Sequence, residues 1–237
     1  MPLQEICLND WGLGAIGVDG SEVSGARTSK KLTGSATVNR VFGNEVGPAV
    51  ELATTSASQT QEGVWYTGDD LIFDIDQLHS FDWLFYISTA LGSSTTVHMG
   101  LAGAYAADED TIADSILYSV GNSLALNFES DDDSNEIAPT AVGVTLEASK
   151  WYRMGFEFMR NPEGKAKIVA KASRVGSGKI FTKNTFDGLQ YDRVLEDTTI
   201  NMSNHAGGLQ PYFVIDKGST DVGTVLIAKA TARVLTA

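Results

Sequence analysis

The sequence predicts a β-hairpin that begins with Tyr152-Arg-Met-Gly-Phe-Glu-Phe158 and continues into the residues after it. Large apolar residues fill every second position, and this period of two directs Phe156 and Phe158 into a core and Arg153 toward solvent. Asn161-Pro-Glu-Gly164 follows with the composition of a type I turn, because proline presets φ at the second position. The stretch therefore predicts a strand, a tight turn and a returning strand.

The returning strand alternates between a small apolar face and a charged face. Its apolar positions are Ala166, Ile168, Ala170 and Ala172, and its charged positions are Lys165, Lys167 and Lys171. Burying each large side chain of the hairpin contributes roughly 1.5–3 kcal/mol, but only if a second layer packs on it. Since a lone hairpin is not stable in water, the hairpin predicts a larger structure, with the three lysines on its outward face.

Length and composition favour one β-rich unit. The chain has 237 residues, 43% of them hydrophobic, with 24 Gly, 5 Pro and a single cysteine, Cys7, which excludes an internal disulfide. No apolar run reaches the roughly 18 residues of a membrane span, so no membrane partner is expected. The N-terminus lacks the basic and apolar regions of a signal peptide, which predicts a protein made in the cytoplasm and not secreted by that route.

The net charge of −13 is unevenly distributed. Residues 61–149 contain no Lys or Arg, whereas most of the basic residues follow residue 150. The acidic loops and the basic hairpin either pair within one subunit or face different neighbours, and the charge pattern alone leaves both alternatives open. Nucleic acid is not an expected partner, because the basic residues lie on strands without interleaved aromatic residues.

The rest of the chain divides into an arm and a sandwich. Residues 1–45 are rich in Gly, Ser and Thr without a sustained period, which predicts an extended N-terminal arm, and residues 46–237 form the predicted domain. Beside the hairpin, strands are predicted at 46–52, 64–66, 71–76, 83–87, 97–103, 124–129, 142–146, 179–181, 209–215 and 225–235. Residues 106–114 are predicted to form one helical turn capped by Asp108. The predicted fold class is all-β, a two-sheet antiparallel β-sandwich.

Strict alternation is predicted along the final strand. Leu226, Ala228, Ala230, Ala232 and Val234 are expected on one face, and Val225, Ile227, Lys229, Thr231 and Arg233 on the other.

The search for catalytic and metal-binding patterns is mostly negative. Glu129-Ser-Asp131-Asp-Asp133 begins like the paired carboxylates of a jelly-roll glycosidase, but Ser134 replaces the second glutamate. The segment from Asp131 to Glu136 begins like a calcium loop but lacks the glycine and the final carboxylate. Residues 176–179 lack the full pattern of a phosphate-binding loop.

The three histidines, His79, His98 and His205, have no metal-ligand spacing and are expected to be satisfied within the fold or exposed. His98 alternates with Val97 and Met99 and is expected to point away from their face. No catalytic, cofactor-binding or metal-binding residue is predicted, no cofactor is expected, and the chain is predicted not to be an enzyme.

Two resemblances add to this interpretation. The segment Leu146-Glu-Ala-Ser-Lys-Trp-Tyr-Arg-Met154 before the hairpin, with the late strands at 209–215 and 225–235, resembles concanavalin A-like and laminin-G-like jelly rolls. More narrowly, residues 52–56, 73–78, 100–105, 110–113 and 197–223 resemble virion proteins of tailed bacteriophages. That resemblance implies a structural protein on the capsid surface of the virion, of the head decoration or cement type. Its implied partners are the major capsid protein or other virion proteins. The long arm and the separated charges predict in addition that the protein binds its own copies, with a trimer slightly favoured over a dimer.

A glycan-binding module of a host-recognition fibre is the alternative. In that hypothesis Trp65, Tyr66, Tyr86 or Trp151 would stack on sugar rings. An exposed tryptophan pair on one sheet would favour glycan binding, whereas buried tryptophans beneath a flat contact surface would favour assembly.

Overall fold

The structure is a computed structural model. It describes residues 3–7, 16–18, 28–42, 46–67, 73–106, 111–160, 166–174, 193–194, 205 and 208–235. Its strands are β1 (Leu3–Cys7), β2 (Ile16–Val18), β3 (Thr28–Thr33), β4 (Thr37–Val41), β5 (Ala49–Ala53), β6 (Gln61–Tyr66), β7 (Phe73–Asp74), β8 (Leu78–Ile87), β9 (Thr95–Ala102), β10 (Asp114–Val120), β11 (Ala125–Asp132), β12 (Ile137–Thr145), β13 (Trp151–Arg160), β14 (Ala166–Arg174), β15 (Arg193–Val194), β16 (Gly208–Lys217) and β17 (Thr224–Leu235). No helix in these ranges is long and apolar enough to span a membrane.

The strands form two sheets that pack face to face, which confirms the predicted all-β sandwich. The eight-stranded sheet has the order β15-β14-β13-β8-β17-β5-β4, with β1 also paired to β17. The nine-stranded sheet has the order β12-β11-β10-β9-β16-β6-β3-β2, with β7 also paired to β16. Apart from β2 and β3, which run parallel, the described pairs are antiparallel. The segment predicted as an arm contributes β1 to β4, and the division at residue 45 stays a prediction.

Aromatic side chains from both sheets fill the space between them. Trp83 on β8 lies 5.6 Å from Phe213 on β16 and 6.1 Å from Tyr118 on β10, measured between ring centroids. Phe156 stacks on Tyr118 at 5.3 Å. Phe156 and Phe158 are 1% and 4% exposed, which confirms that this face of the hairpin enters the core.

The hairpin itself is confirmed as β13 and β14. Phe156 lies opposite Ala170 and Phe158 opposite Ile168. The register therefore pairs the positions predicted for the small apolar face of the return strand with the large apolar positions of β13. The predicted turn at 161–164 and Lys165 lie outside the described residues, as do the side chains of β14. The expected outward face of the three lysines therefore stays a prediction.

Arg153 departs from its predicted exposure. The side chain is buried on the outer face of the eight-stranded sheet, where Nη2 lies 3.2 Å from Oδ1 of Asp82 on β8. Gly155 sits opposite Asp82 in the strand register, and a Cβ at this glycine would lie 2.7 Å from Asp82 Oδ1. Arg233 Nη1 approaches the other carboxylate oxygen at 3.9 Å. The residue is buried because an opposite charge compensates for its lost hydration.

The predicted alternation of the final strand is wrong beyond Ala228. Lys229 has a φ of 51°, and the pairing of β17 with β8 shifts between Ala228 and Thr231. A bulge of this kind inserts an extra residue and reverses the faces that follow. As a result Ala228 packs on the outside against Leu84, whereas Ala230 lies in the main core.

Two further differences concern the region from 106 to 120. Strand β10 was not predicted, because Ile116, Leu117 and Tyr118 are all buried and give no alternation. Of the predicted helical turn at 106–114, residues 107–110 with the capping Asp108 lie outside the described residues, and its last residue, Asp114, begins β10. The predicted strand at 179–181 also lies outside the described residues.

We expect Phe156→Ala to lower the free energy of unfolding by about 3–5 kcal/mol, because it removes a ring from the centre of the packed layer. Phe42→Ala is the matched control, since Phe42 is 68% exposed and its loss should change stability by no more than about 0.5 kcal/mol. Urea unfolding of both variants measures the difference. Equal losses in the two variants would mean that the described core is wrong.

Candidate functional site

The outer face of the nine-stranded sheet carries a group of ionisable side chains that the structure describes together, and His98 lies in its middle. His98 on β9 points away from the core because its neighbours Val97 and Met99 point into it. In the register, His98 lies opposite Val214 on one side and Ser119 on the other. Because side chains alternate between the two faces, three strands that contribute to the core also present a row of side chains on the outer face.

One half of this face is covered by apolar contacts. Val64, Tyr66, Ala102, Ile112, Leu117, Tyr212 and Val214 form a buried cluster packed by Tyr105 and Ala106. Tyr105 Oη donates to Glu62 Oε2 at 2.9 Å, and Tyr212 Oη donates to the Ala106 carbonyl at 3.2 Å. These hydrogen bonds hold Tyr105 and Ala106, which follow β9, against the outer face of the sheet.

The other half is polar and is termed here the polar patch. It consists of Thr96, His98, Ser119, Asn127, Glu129 and Asp216. His98 and Glu129 are recessed in it, with side chains that are 13% and 11% exposed. These recessed polar groups on an outward face make the polar patch the candidate ligand site.

His98 and Glu129 form a pair across β10. His98 Nδ1 lies 3.1 Å from Glu129 Oε1, within hydrogen-bond distance. A carboxylate at this nitrogen fixes the orientation of the imidazole and favours the tautomer protonated at Nδ1. In chemical terms the pair resembles an oriented general base or a positioned hydrogen-bonding group.

Asp216 lies at the edge of the same patch, opposite Glu62 in the strand register. Burial raises the pKa of the Asp216 carboxyl, and the nearby positive charge of His98 lowers it by a smaller amount. Asp216 Oδ1 is buried without a hydrogen-bond partner in the described part of the chain. The carboxyl therefore keeps its proton to a higher pH than an exposed aspartate does.

A small cavity of about 30 Å³ adjoins the patch. Its lining includes Ser115, Glu129, Asp131, Glu136 and Pro139. That volume suits a water molecule and is far too small for a sugar ring. A larger ligand would consequently rest on the patch and could send only a hydroxyl group toward the cavity.

The segment from Asp131 to Glu136 forms a capped turn. Asp132 Oδ1 accepts hydrogen bonds from the Asn135 backbone at 2.7 Å and from Ser134 N at 3.2 Å, while Asp131 Oδ1 accepts one from Asp133 N at 2.8 Å. These carboxylates bind their own backbone, as aspartates in tight turns do. Within the described ranges no three acidic, histidine or cysteine side chains group as metal ligands.

The four aromatic residues predicted as a sugar platform are not brought together. Trp65 is 2% exposed and stacks on Phe213 in the core, and Tyr66 belongs to the covered half of the nine-stranded sheet. Tyr86 and Trp151 pack on each other at 5.0 Å, but on the outer face of the other sheet. No exposed tryptophan pair occurs among the described residues.

The polar patch was not predicted, although its members were noticed separately. His98 was expected only to point outward, and Glu129 was considered only with its neighbours in sequence. Their contact depends on β9, β10 and β11 pairing in this order. The available signal was the outward position of His98 within an otherwise apolar strand.

Comparison with known proteins shows the fold. No protein-family model matches the chain, and no curated protein matches it in sequence. Among solved structures it is similar to a marine PL-14 alginate lyase from Aplysia kurodai, with a TM-score of 0.52 and 10% identity over 84% of this chain and 87% of that one.

Two further similar structures have lower scores. One is the carbohydrate-binding module CBM66 from Bacillus subtilis, with a TM-score of 0.40 and 11% identity over 84% of this chain and 92% of that one. The other is a carbohydrate esterase from the Shiga toxin-encoding bacteriophage phi24B, with a TM-score of 0.44 and 12% identity over 87% and 90%. The similarity to the alginate lyase shows the jelly-roll fold, and the fold alone.

The prediction that the chain is not an enzyme is contradicted by this comparison. The alginate lyase is an enzyme built on the same fold, so the fold itself accommodates catalysis. Ser134 in place of the second glutamate disfavours one class of glycosidase only. Other enzymes with this fold do not need that pair of carboxylates. At 10% identity the likeness shows the fold, and the lyase's activity is not transferred to this chain.

We expect Asp216→Asn to raise the melting temperature at pH 7. Because burial raises the pKa of Asp216 in the folded protein, ionisation of this carboxyl opposes folding as the pH rises through that pKa. Asparagine has the shape of the protonated form and removes this cost. The gain should vanish below about pH 4, where the unfolded carboxyl is protonated as well.

Asp221→Asn is the control of opposite sign. Hydrogen bonds from the Ser94 backbone N–H, the Ser94 hydroxyl and the Ser93 hydroxyl lower the pKa of Asp221. Its carboxylate therefore favours folding above the unfolded pKa, and this contribution disappears as the pH falls through the lowered folded pKa. Calorimetry should show a lower melting temperature for this variant at pH 7. Shifts of the same sign in both variants would contradict the assignment.

Proposed function

We propose that the chain is a glycan-binding module of a tailed-bacteriophage virion, and that it holds a sugar against the polar patch. The observation that carries this proposal is the recessed His98–Glu129 pair on an outward sheet face, with Asp216 beside it. The fold supports it, because carbohydrate-binding proteins use this sandwich, and the resemblance of residues 50–237 to phage proteins supports the virion location.

The chemistry of the patch suits sugar hydroxyl groups. Carboxylates such as Glu129 accept hydrogen bonds from hydroxyls, and bonds to charged acceptors are stronger than neutral ones. Ser119 and Asn127 extend the row opposite His98 with groups that both donate and accept. A few polar groups in fixed positions are sufficient to orient a small ligand.

Charge selects a neutral glycan over an acidic one. The sequence from 61 to 149 supplies β6, β9, β10 and β11 without a single Lys or Arg. Glu62, Glu129 and Asp216 add negative charge to this face, and like charges across a contact disfavour binding. A polyuronate would therefore be repelled where a neutral oligosaccharide is accepted.

A head decoration protein is the second candidate function. It is favoured by the burial of Trp65, Trp83 and Trp151, since these tryptophans leave no exposed platform among the described side chains. In this proposal the chain binds the major capsid protein or its own copies through charged surface contacts. Replacing Lys165, Lys167 and Lys171 together with Glu should then impair attachment to heads of the parent phage in cosedimentation, and attachment of wild type should weaken toward 1 M salt. Unchanged attachment of the triple variant would contradict the charge contact.

We expect His98→Gln to weaken binding of a neutral oligosaccharide by about two- to tenfold, since the variant loses an imidazole held in a fixed position and a hydrogen bond between neutral groups contributes about 0.5–1.5 kcal/mol. The probes are oligosaccharides of glucose, galactose and N-acetylglucosamine, compared by calorimetry with alginate oligosaccharides of equal length. His79→Gln is the matched control because His79 lies on β8 of the other sheet. It should bind like wild type.

Two outcomes would contradict the proposed site. One is equal loss of binding in the His98 and His79 variants, which would place the sugar elsewhere. The other is tighter binding of alginate than of every neutral probe, which would mean that the negative charge of the patch does not select the ligand.

A further inference from the structure

The small cavity beside the polar patch lies at a bulge in the sheet. The pairing of β11 with β12 shifts between Phe128 and Ser130, so that two steps along β11 correspond to three along β12. The extra residue of β12 lies opposite Glu129, where Pro139 also lacks a backbone N–H for regular pairing. A space of about 30 Å³ opens at this interruption, with Glu129 and Pro139 in its lining.

Three carboxylates line this cavity at different depths. Glu129 is buried, Asp131 is partly buried and Glu136 is exposed, so negative charge extends from the interior of the cavity to its opening. The described lining residues include no Lys or Arg. Glu129 pairs with His98, whereas Asp131 and Glu136 form no ion pair in the described part of the chain. The negative charge of the cavity is therefore compensated only in part.

Ser115 is a second and independent indication of a ligand. It lies on β10 directly opposite Asp131, it is 5% exposed, and it lines the cavity. Its hydroxyl group has no hydrogen-bond partner among the residues that the structure describes. Buried polar groups normally have such a partner, because an unmade hydrogen bond in the interior is costly. A polar group that enters the cavity would supply the partner.

We propose that the cavity binds the protonated amino group of an amino sugar, as a subsite of the polar patch. This inference rests on the proposed glycan site, because Glu129 belongs to both the patch and the cavity. An ammonium group has three N–H donors and no acceptor, which suits a lining of carboxylates and a hydroxyl. Hydrogen bonds from a cation to carboxylates are stronger than those between neutral groups.

Size and charge favour this ligand group over the alternatives. Like a hydroxyl group, an ammonium group is about as large as the water molecule that 30 Å³ accommodates, whereas an N-acetyl group is too large. The negative charge that repels an acidic glycan attracts a basic one. A metal ion is not favoured, since no three acidic, histidine or cysteine side chains in the described ranges group as its ligands.

Calorimetry of the full chain with two oligosaccharides of equal length tests the subsite. The probes are the tetramer of glucosamine and the tetramer of N-acetylglucosamine, compared at about pH 5.5, where an amine is protonated and an ordinary carboxyl group is ionised. Wild type should bind the glucosamine tetramer at least about tenfold more tightly, because only this probe forms the charge-assisted hydrogen bonds.

Variants of the lining localise the preference. Ser115→Val replaces the hydroxyl group with two methyl groups inside the cavity and should abolish the preference for the amine. Glu136→Gln should reduce the preference by about two- to fivefold, since the carboxylate at the opening is exposed. Asp133→Asn is the matched control, because Asp133 is an exposed carboxylate of the same turn that does not line the cavity. It should keep the wild-type preference, and circular dichroism checks that each variant is folded.

The inference is overturned if wild type binds the two tetramers equally, or if Asp133→Asn lowers the preference as much as Glu136→Gln, which would indicate attraction to the acidic surface in general. Tighter binding of Nα-acetyllysine amide than of the glucosamine tetramer would also overturn it, because that probe carries an ammonium group without a sugar. Binding of neutral oligosaccharides without any preference for the amine would remove this inference and leave the proposed glycan site standing. Absence of binding by every oligosaccharide would contradict both.

Discussion

The structure depends on the aromatic contact between the two sheets. Trp83 on β8 reaches Phe213 on β16 and Tyr118 on β10, and these three strands lie near the middle of their sheets. Because the rings fill the space between the layers, each central strand has only one face left for function. The outward residues of β8, β9 and β16 are thus fixed in position by what their inward neighbours pack against.

The outer faces of the two sheets carry different kinds of side chains. On the eight-stranded sheet, Asp82 and Arg153 compensate each other within a buried ion pair, and the apolar residues around Trp151 are covered. On the nine-stranded sheet, Asp216 is partly buried at a cost, with one carboxylate oxygen left without a partner in the described part of the chain. A buried ionisable group with a shifted pKa in a fixed position is a candidate for ligand binding, because such groups cluster at functional sites.

Local pattern was sufficient to predict the parts of the fold that depend on neighbours in sequence. The hairpin at β13 and β14, the inward set around Phe156 and the outward direction of His98 all follow from alternation. The alternating pattern gave a wrong prediction after Lys229, because a bulge there reverses the faces of the strand. It gave no prediction for β10, because side chains on both faces of that strand are buried. The polar patch depends on strand order, which no local pattern contains, so His98 and Glu129 could be found separately but not as a pair.

The most direct test of the account is a titration of ¹⁵N-labelled protein with a neutral oligosaccharide, followed by amide chemical shifts. The account predicts that the largest shifts fall on β9, β10 and β11 around His98, Ser119 and Asn127, on one continuous face of the nine-stranded sheet. It would be contradicted if the largest shifts surrounded Tyr86 and Trp151 on the opposite sheet, or if no amide moved at millimolar concentrations of every neutral probe.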